Sequence, residues 1–123
     1  MFSLKQIGIT QENRECLELL KEYGYIDELQ EGARFAASVA LIKGLYKGKR
    51  LWEVGSGTTG GWNTVQIDDD SYLRNIVDLL GLSPGNLAHG VRGLIVLGCD
   101  YIYSRIKDKS VILVGDMIKN EIE

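Results

Sequence analysis

The sequence DELQEGARFAASVALIKGL, residues 27–45, is the most informative stretch of the 123-residue chain. Asp27 with Gln30 three positions later matches a capping box and predicts a helix over 27–45. A helix that is apolar on two sides must be buried on two sides, and a short chain has few elements to cover it. We therefore expect a homodimer through helix 27–45, or a larger homo-oligomer. The two apolar stripes are Leu29, Ala33, Ala36, Ala37, Ala40 and Leu41 on one side and Phe35, Val39, Ile42 and Tyr46 on the other.

A strand and a first helix are predicted upstream of this helix. Residues 3–9 form a short extended run, although its apolar side chains change from one face to the other along the run. Thr10 supplies an N-cap oxygen and Gly24 a stop signal for a helix over 11–23. Helical spacing within that range is carried by Cys16, Leu17, Leu20 and Tyr23.

Downstream, glycines and short apolar runs predict two short strands, 51–54 and 62–67, around a glycine-rich connection at 55–61. A third helix is expected to begin at Asp70 or Ser71 and to stop before Gly81. Ser83 as a cap with Pro84 at the first helical position then predicts a fourth helix that ends near Lys107. The run 111–114 favours a strand. The fold class expected is mostly α, within α+β, with two C-terminal helices after the first pair.

Composition favours one domain over 1–123, made of an N-terminal segment, 1–50, a glycine-rich segment, 51–69, and a helical segment, 70–123. The chain is 45% hydrophobic, which is ordinary for a packed globule and unlike a disordered tail. Its longest uncharged apolar stretch, 93–99, is far shorter than a membrane span, and no secretory signal is visible. We therefore expect a cytoplasmic protein without a membrane partner.

Candidate catalytic and metal-binding patterns have simpler structural explanations. The spacing Gly55-x-Gly57-x-x-Gly60 matches a dinucleotide fingerprint, but that site needs a helix directly after the loop, and 62–67 reads as extended. Three acids at 68–70 are more simply a helix cap with favourable dipole charges than a cation site. His89 fits the first turn of the fourth helix, and Cys16 and Cys99 fit buried positions. No catalytic residue, metal ligand or cofactor is predicted, and the protein is expected not to be an enzyme.

A basic cluster at the end of helix 27–45 is the strongest binding signal. Its members are Lys43, Lys47, Lys49 and Arg50, in a chain with a net charge of −3. Cations there can complement the helix dipole, or they can contact phosphates. Trp52 and Trp62 flank the glycine-rich connection, where an aromatic ring can stack on a base or belong to the core.

The order of strand, helix, turn and helix over about the first 47 residues resembles the ribbon-helix-helix DNA-binding fold. The shared pattern is Ile9-Thr10, Leu17-x-x-Leu20, Gly24, the cap at Asp27 and Arg34-Phe-Ala36. The resemblance implies that two chains pair their strands into a ribbon that enters the major groove, and that the second helices begin at phosphates. It also implies that the residues reading bases lie among Ser3, Lys5 and Gln6.

A second resemblance covers more of the chain. A strand, two such helices, a glycine-containing link and the sequence 63–67 before a further helix are similar to the small protein of DNA phosphorothioation systems. That family has a helical core and is linked to DNA.

Three functional hypotheses follow from these patterns. The first is a non-enzymatic protein that binds double-stranded DNA or associates with it, as a homo-oligomer, through Lys5, Gln6, Lys43, Lys47, Lys49 and Arg50. The second is an assembly subunit that binds a protein partner without touching nucleic acid, a role that suits the acidic second half. The third is a small enzyme or ligand-binding protein that uses the loop at 55–61.

Overall fold

The computed structural model describes residues 6–56, 58 and 62–108, and most of these residues are helical. This confirms the predicted mostly helical class, whereas the strand expected at 111–114 lies outside the described residues. The elements, in chain order, are β1 (Gln6–Ile7), α1 (Gln11–Glu22), α2 (Leu29–Ile42), a 3-10 turn (Leu51–Glu53), β2 (Trp62–Asn63), α3 (Thr64–Asp68), α4 (Tyr72–Leu79) and α5 (Leu87–Asp108).

Helix α5 is the element around which the others pack. It contacts α2 most extensively, and it also touches α1, α4, β1 and the 3-10 turn. The approach to α2 is close because Gly98 has no side chain, and a Cβ atom there would collide with the backbone of Ala36. Small residues on both helices therefore allow their axes to come together and close the core.

The apolar stripes of α2 are covered within a single chain. Ala33, Ala36, Ala37 and Ala40 are fully buried, and Val39 of the second stripe is also buried. Contacts with α1, α3 and α5 provide this cover. A single chain therefore buries the alanine stripe, because α5 is long enough to lie along it, whereas Phe35 and Tyr46 of the second stripe are only partly buried. Ile42, with 46% of its surface exposed, is the main apolar residue that α2 presents to solvent.

Helix α1 has the predicted cap and end. The Thr10 hydroxyl accepts a hydrogen bond from the Asn13 amide at 3.0 Å, and the Asn13 side chain accepts one from the Thr10 amide at 3.2 Å. This reciprocal pair satisfies two of the amides that a helix start leaves without partners. After the C-cap at Tyr23, Gly24 adopts a left-handed conformation with φ of 83°, which ends the helix.

The predicted cap of α2 at Asp27 is wrong. The extended residue Glu28 holds the N-cap position, and the helix begins at Leu29. Gln30 does not complete a capping box, because its side-chain amide donates to the Glu28 carboxylate at 2.7 Å. Ile26 packs over Gly32 in the first turns of the helix.

The strands predicted on either side of the glycine-rich connection are largely replaced by helical turns. Residues 51–53 form the 3-10 turn, and the predicted strand 62–67 reduces to β2 because Asn63 caps α3. β1 pairs antiparallel with β2, with Gln6 opposite Asn63 and Ile7 opposite Trp62. The described residues of the N-terminal strand therefore find their partner within the same chain.

The start of the last helix also differs from the prediction. Ser83-Pro84 belongs to a turn, in which the Ser83 hydroxyl donates to the Asn86 carbonyl at 2.8 Å. Gly85 is left-handed with φ of 75°, so the helix begins only at Leu87. The helix continues to Asp108, which is the last residue that the structure describes. Within residues 6–56, 58 and 62–108, no helix combines the length and apolar character that a membrane crossing requires.

Candidate nucleic-acid interface

The predicted basic cluster lies in the turns that follow α2. We call Lys43, Lys47, Lys49 and Arg50 the basic segment; the last three are exposed, and Lys43 is partly buried as the C-cap of the helix. The side chain of Lys47 folds back towards Gly44, whose Cβ position would be 3.1 Å from Lys47 Cε. Two lysines are thereby gathered at the C-terminal end of α2, where the helix dipole favours positive charge.

Helix α5 adds a cation to this surface. The Lys43 Nζ atom lies 4.7 Å from the centre of the Tyr101 ring, and the Arg105 guanidinium carbon lies 5.2 Å from it. Arg105 Nε also donates to the Tyr101 hydroxyl at 3.0 Å. Lys43, at the end of α2, and Arg105, on α5, therefore place their charges at most about 10 Å apart. Sequence reasoning missed Arg105, although its position four residues after Tyr101 on an amphipathic helix indicates contact between the two side chains.

Arg50 of the basic segment has an acidic partner. Arg50 Nη1 lies 3.6 Å from Glu53 Oε1, and both side chains are mostly exposed. An exposed ion pair at this distance contributes little stability, so a phosphate can compete for Arg50.

The segment leads directly into the 3-10 turn, which α5 holds in place. Arg92, which is buried, donates from Nη2 to the Trp52 carbonyl at 2.7 Å and from Nε to the Val54 carbonyl at 3.1 Å. Leu51 is buried against Gly93, where a Cβ atom would strike the Leu51 carbonyl. Contacts with α5 thus fix the backbone of the turn at Leu51, Trp52 and Val54.

The two tryptophans have different surroundings. Trp62 packs against the core from β2, which agrees with the core alternative for this ring. Trp52 keeps 38% of its surface exposed on the anchored turn.

Of the base-reading positions implied by the ribbon-helix-helix resemblance, the structure describes Gln6. Ser3 and Lys5 lie outside the described residues, and the backbone of Gln6 belongs to β1. The N-terminal end of α2, where that fold places a phosphate, carries Asp27, Glu28 and Glu31.

Asp68 has the capping role expected of the acidic triplet. Its carboxylate accepts the backbone amides of Leu73 and Arg74 at 2.9 and 3.0 Å and pairs with Arg74 Nε at 2.8 Å. These bonds orient the start of α4 and leave Asp68 buried and fully engaged. Beside it, a groove of about 450 Å³ is lined by residues including Arg34 and Asp69.

His89 and the cysteines occupy structural positions. His89 lies in the first turn of α5, as predicted, and desolvation together with the nearby Arg92 charge lowers its pKa. Cys16 and Cys99 are buried against each other, as expected for small apolar side chains. Their hydrogen bond and burial raise the pKa of the Cys99 thiol, which disfavours the reactive thiolate. Among the described residues, no group of three His, Cys, Asp or Glu side chains has the arrangement of a metal site.

The loop that matched a dinucleotide fingerprint begins on the anchored turn. Gly55 is left-handed with φ of 79°, and a Cβ atom there would lie 2.8 Å from Val96 of α5. Gly57 and Gly60 lie outside the described residues. The helix that follows begins only at Thr64 and is five residues long. Gly55 thus has a packing role against α5.

Comparisons with family models, curated proteins and solved structures find no match to this chain.

Proposed function

We propose that the protein is a non-enzymatic DNA-binding protein that contacts the phosphate backbone of double-stranded DNA through the basic segment and Arg105, and that it acts as a homo-oligomer. The observation that carries the proposal is the convergence of cations from two helices at one surface. Lys43 and Arg105 meet at Tyr101, and Lys47, Lys49 and Arg50 continue the same charge along the chain.

The charge distribution of α2 favours this end of the helix for DNA. Residues 43–50 contain four cations and no acid, whereas three acids surround the N-terminal end. A phosphate at the N-terminal end would be repelled by these three acids, and this repulsion opposes its attraction to the free helix amides. The proposal therefore differs in geometry from a ribbon-helix-helix contact, although it assigns the same kind of partner. The relationship to the phosphorothioation protein stays a prediction that is compatible with it.

The salt dependence of binding gives the first test. Neutralising four to five phosphates releases their counterions, so log K should fall against log salt with a slope of roughly −4. Fluorescence anisotropy on a labelled duplex at several salt concentrations measures this slope. The absence of binding at low salt and micromolar protein would end the proposal.

Charge reversal within the basic segment gives a sharper test. Lys47→Glu with Lys49→Glu should weaken duplex binding by at least tenfold and reduce the salt slope by roughly 2, because two phosphate contacts are lost. For a matched control, the single variant Lys47→Glu is compared with Lys21→Glu, which makes the same charge change at an exposed cation in the last turn of α1. An equal loss in both proteins would indicate a general charge effect and would contradict the assigned surface.

A second candidate function, a protein-assembly subunit, is favoured by the outer face of α4. Leu79 and Leu80 are 84% and 50% exposed, and Tyr72 is exposed on the same helix. Their neighbours Leu73 and Val77 already supply the buried face of this helix. Exposed apolar residues grouped on one element are a feature of protein interfaces.

A further inference from the structure

Trp52 combines a fixed backbone with an exposed ring. Arg92 holds the carbonyls of Trp52 and Val54, and the close contact of Leu51 with Gly93 fixes the preceding residue. A tryptophan on such an anchored turn loses little conformational entropy when a ligand packs on it. The exposure of the ring is therefore a property of a rigid surface.

Cations stand directly before this ring in the chain. Lys47, Lys49 and Arg50 lie within five residues of Trp52 and are all exposed. Phosphates held by these side chains would bring the attached bases to the neighbourhood of the indole. Paired bases in a duplex present their edges, whereas an unpaired base can offer its π face to an aromatic ring.

We infer that Trp52 is a stacking platform for an unpaired base, so that the basic segment binds single-stranded nucleic acid in addition to the duplex backbone. The inference rests on the proposed function, because the same cations hold the phosphates in both cases. Stacking needs no base-specific hydrogen bond and so predicts little sequence preference. DNA and RNA share the stacking chemistry, and separate oligonucleotides distinguish them.

The probes are short deoxyuridylate and uridylate single strands, which differ only in the sugar, and a DNA duplex of matched length. In a Trp62→Phe background, Trp52 is the remaining tryptophan of the two in the chain, so its emission reports stacking. Either single strand should quench this emission on binding, and the tighter of the two identifies the natural sugar. The duplex should bind with much less quenching.

Substitutions at Trp52 separate stacking from charge. Trp52→Ala should weaken single-strand binding by about 5- to 150-fold, the usual effect of removing one stacked aromatic. Duplex binding should change by less than about twofold, because the phosphate contacts remain. Trp52→Phe keeps an aromatic face and should restore most of the single-strand affinity. Tyr23→Ala removes an exposed ring at the end of α1, outside both candidate surfaces, and serves as the matched control.

The outcomes distinguish the two proposals. If neither single strand nor duplex binds at low salt, the proposed function fails and the stacking inference fails with it. If the duplex binds but Trp52→Ala affects single strands no more than Tyr23→Ala does, only the stacking inference is overturned. Loss of single-strand binding in Trp52→Ala with rescue by Trp52→Phe supports it.

Discussion

At the scale of single residues, Arg92 links the core to the candidate interface. Its buried guanidinium donates hydrogen bonds to the carbonyls of Trp52 and Val54. These bonds replace the water that a charged group would otherwise bind. Removing Arg92 would leave those carbonyls without partners. The position of Trp52 therefore depends on a residue that lies 40 positions further along the chain.

Arg92→Met should lower the free energy of unfolding by about 2–3 kcal/mol, because it removes two hydrogen bonds from a charged donor while keeping the side-chain volume. Urea denaturation measures the loss. Arg105→Met is the control: its bond to Tyr101 is near the surface and should contribute less than about 1 kcal/mol. Equal losses in the two variants would show that the anchoring role assigned to Arg92 is wrong.

At the scale of elements, a polar contact joins α1 to α5. Asn13 is buried and donates from Nδ2 to the Asp100 carboxylate at 2.7 Å. Desolvation raises the pKa of Asp100, the Asn13 hydrogen bond partly offsets this, and the Glu12 charge raises it further. The folded protein therefore holds the Asp100 proton more tightly than the unfolded chain does.

This linkage predicts a pH-dependent effect of Asp100→Asn. At neutral pH the ionised carboxylate opposes folding, so the variant should be the more stable protein. As the pH falls through the raised pKa of Asp100, the carboxylate becomes protonated and no longer opposes folding of the wild-type protein. The difference in the free energy of unfolding between the variant and the wild type should therefore become smaller. Denaturant titrations at several acidic pH values would follow the difference. A difference that stays constant with pH would contradict the assignment.

Elements with strong local signals could be predicted from sequence. Thr10, Gly24 and the apolar spacing define α1, and the two stripes define the body of α2. The 3-10 turn could not be predicted, because its carbonyls bond to Arg92 instead of to a neighbouring strand. Ser83-Pro84 predicted the start of a helix, but the left-handed conformation of Gly85 forms a turn there, and the helix begins after it.

The candidate site shows the same division. The cations of the basic segment lie within 43–50, so a local sequence pattern is enough to indicate them as a candidate. Tyr101 and Arg105 could not be predicted, because about sixty residues separate them from Lys43 and only the packing of α5 on α2 joins them. The anchored exposure of Trp52 likewise follows from tertiary contacts that no local pattern indicates.

At the scale of the whole molecule, assembly through α2 and assembly through α4 give opposite predictions. If copies meet at the outer face of α4, Leu79→Glu with Leu80→Glu should reduce the mass measured by light scattering to the 13.7 kDa of one chain. Buried charge without a partner is strongly unfavourable at an apolar contact. Ile42→Glu should have no effect in that case and should dissociate the oligomer if α2 forms the contact. A wild-type mass of one chain at every concentration would contradict both.

The central position of α5 has a consequence for synthesis. During translation the ribosome releases the alanine face of α2 long before Gly98, the residue against which Ala36 closes, has been made. The apolar face of α2 is therefore exposed on the nascent chain until α5 has been synthesised, as is common when long-range contacts complete a core. The yield of folded protein should therefore depend on chaperones that bind this exposed face before α5 is available.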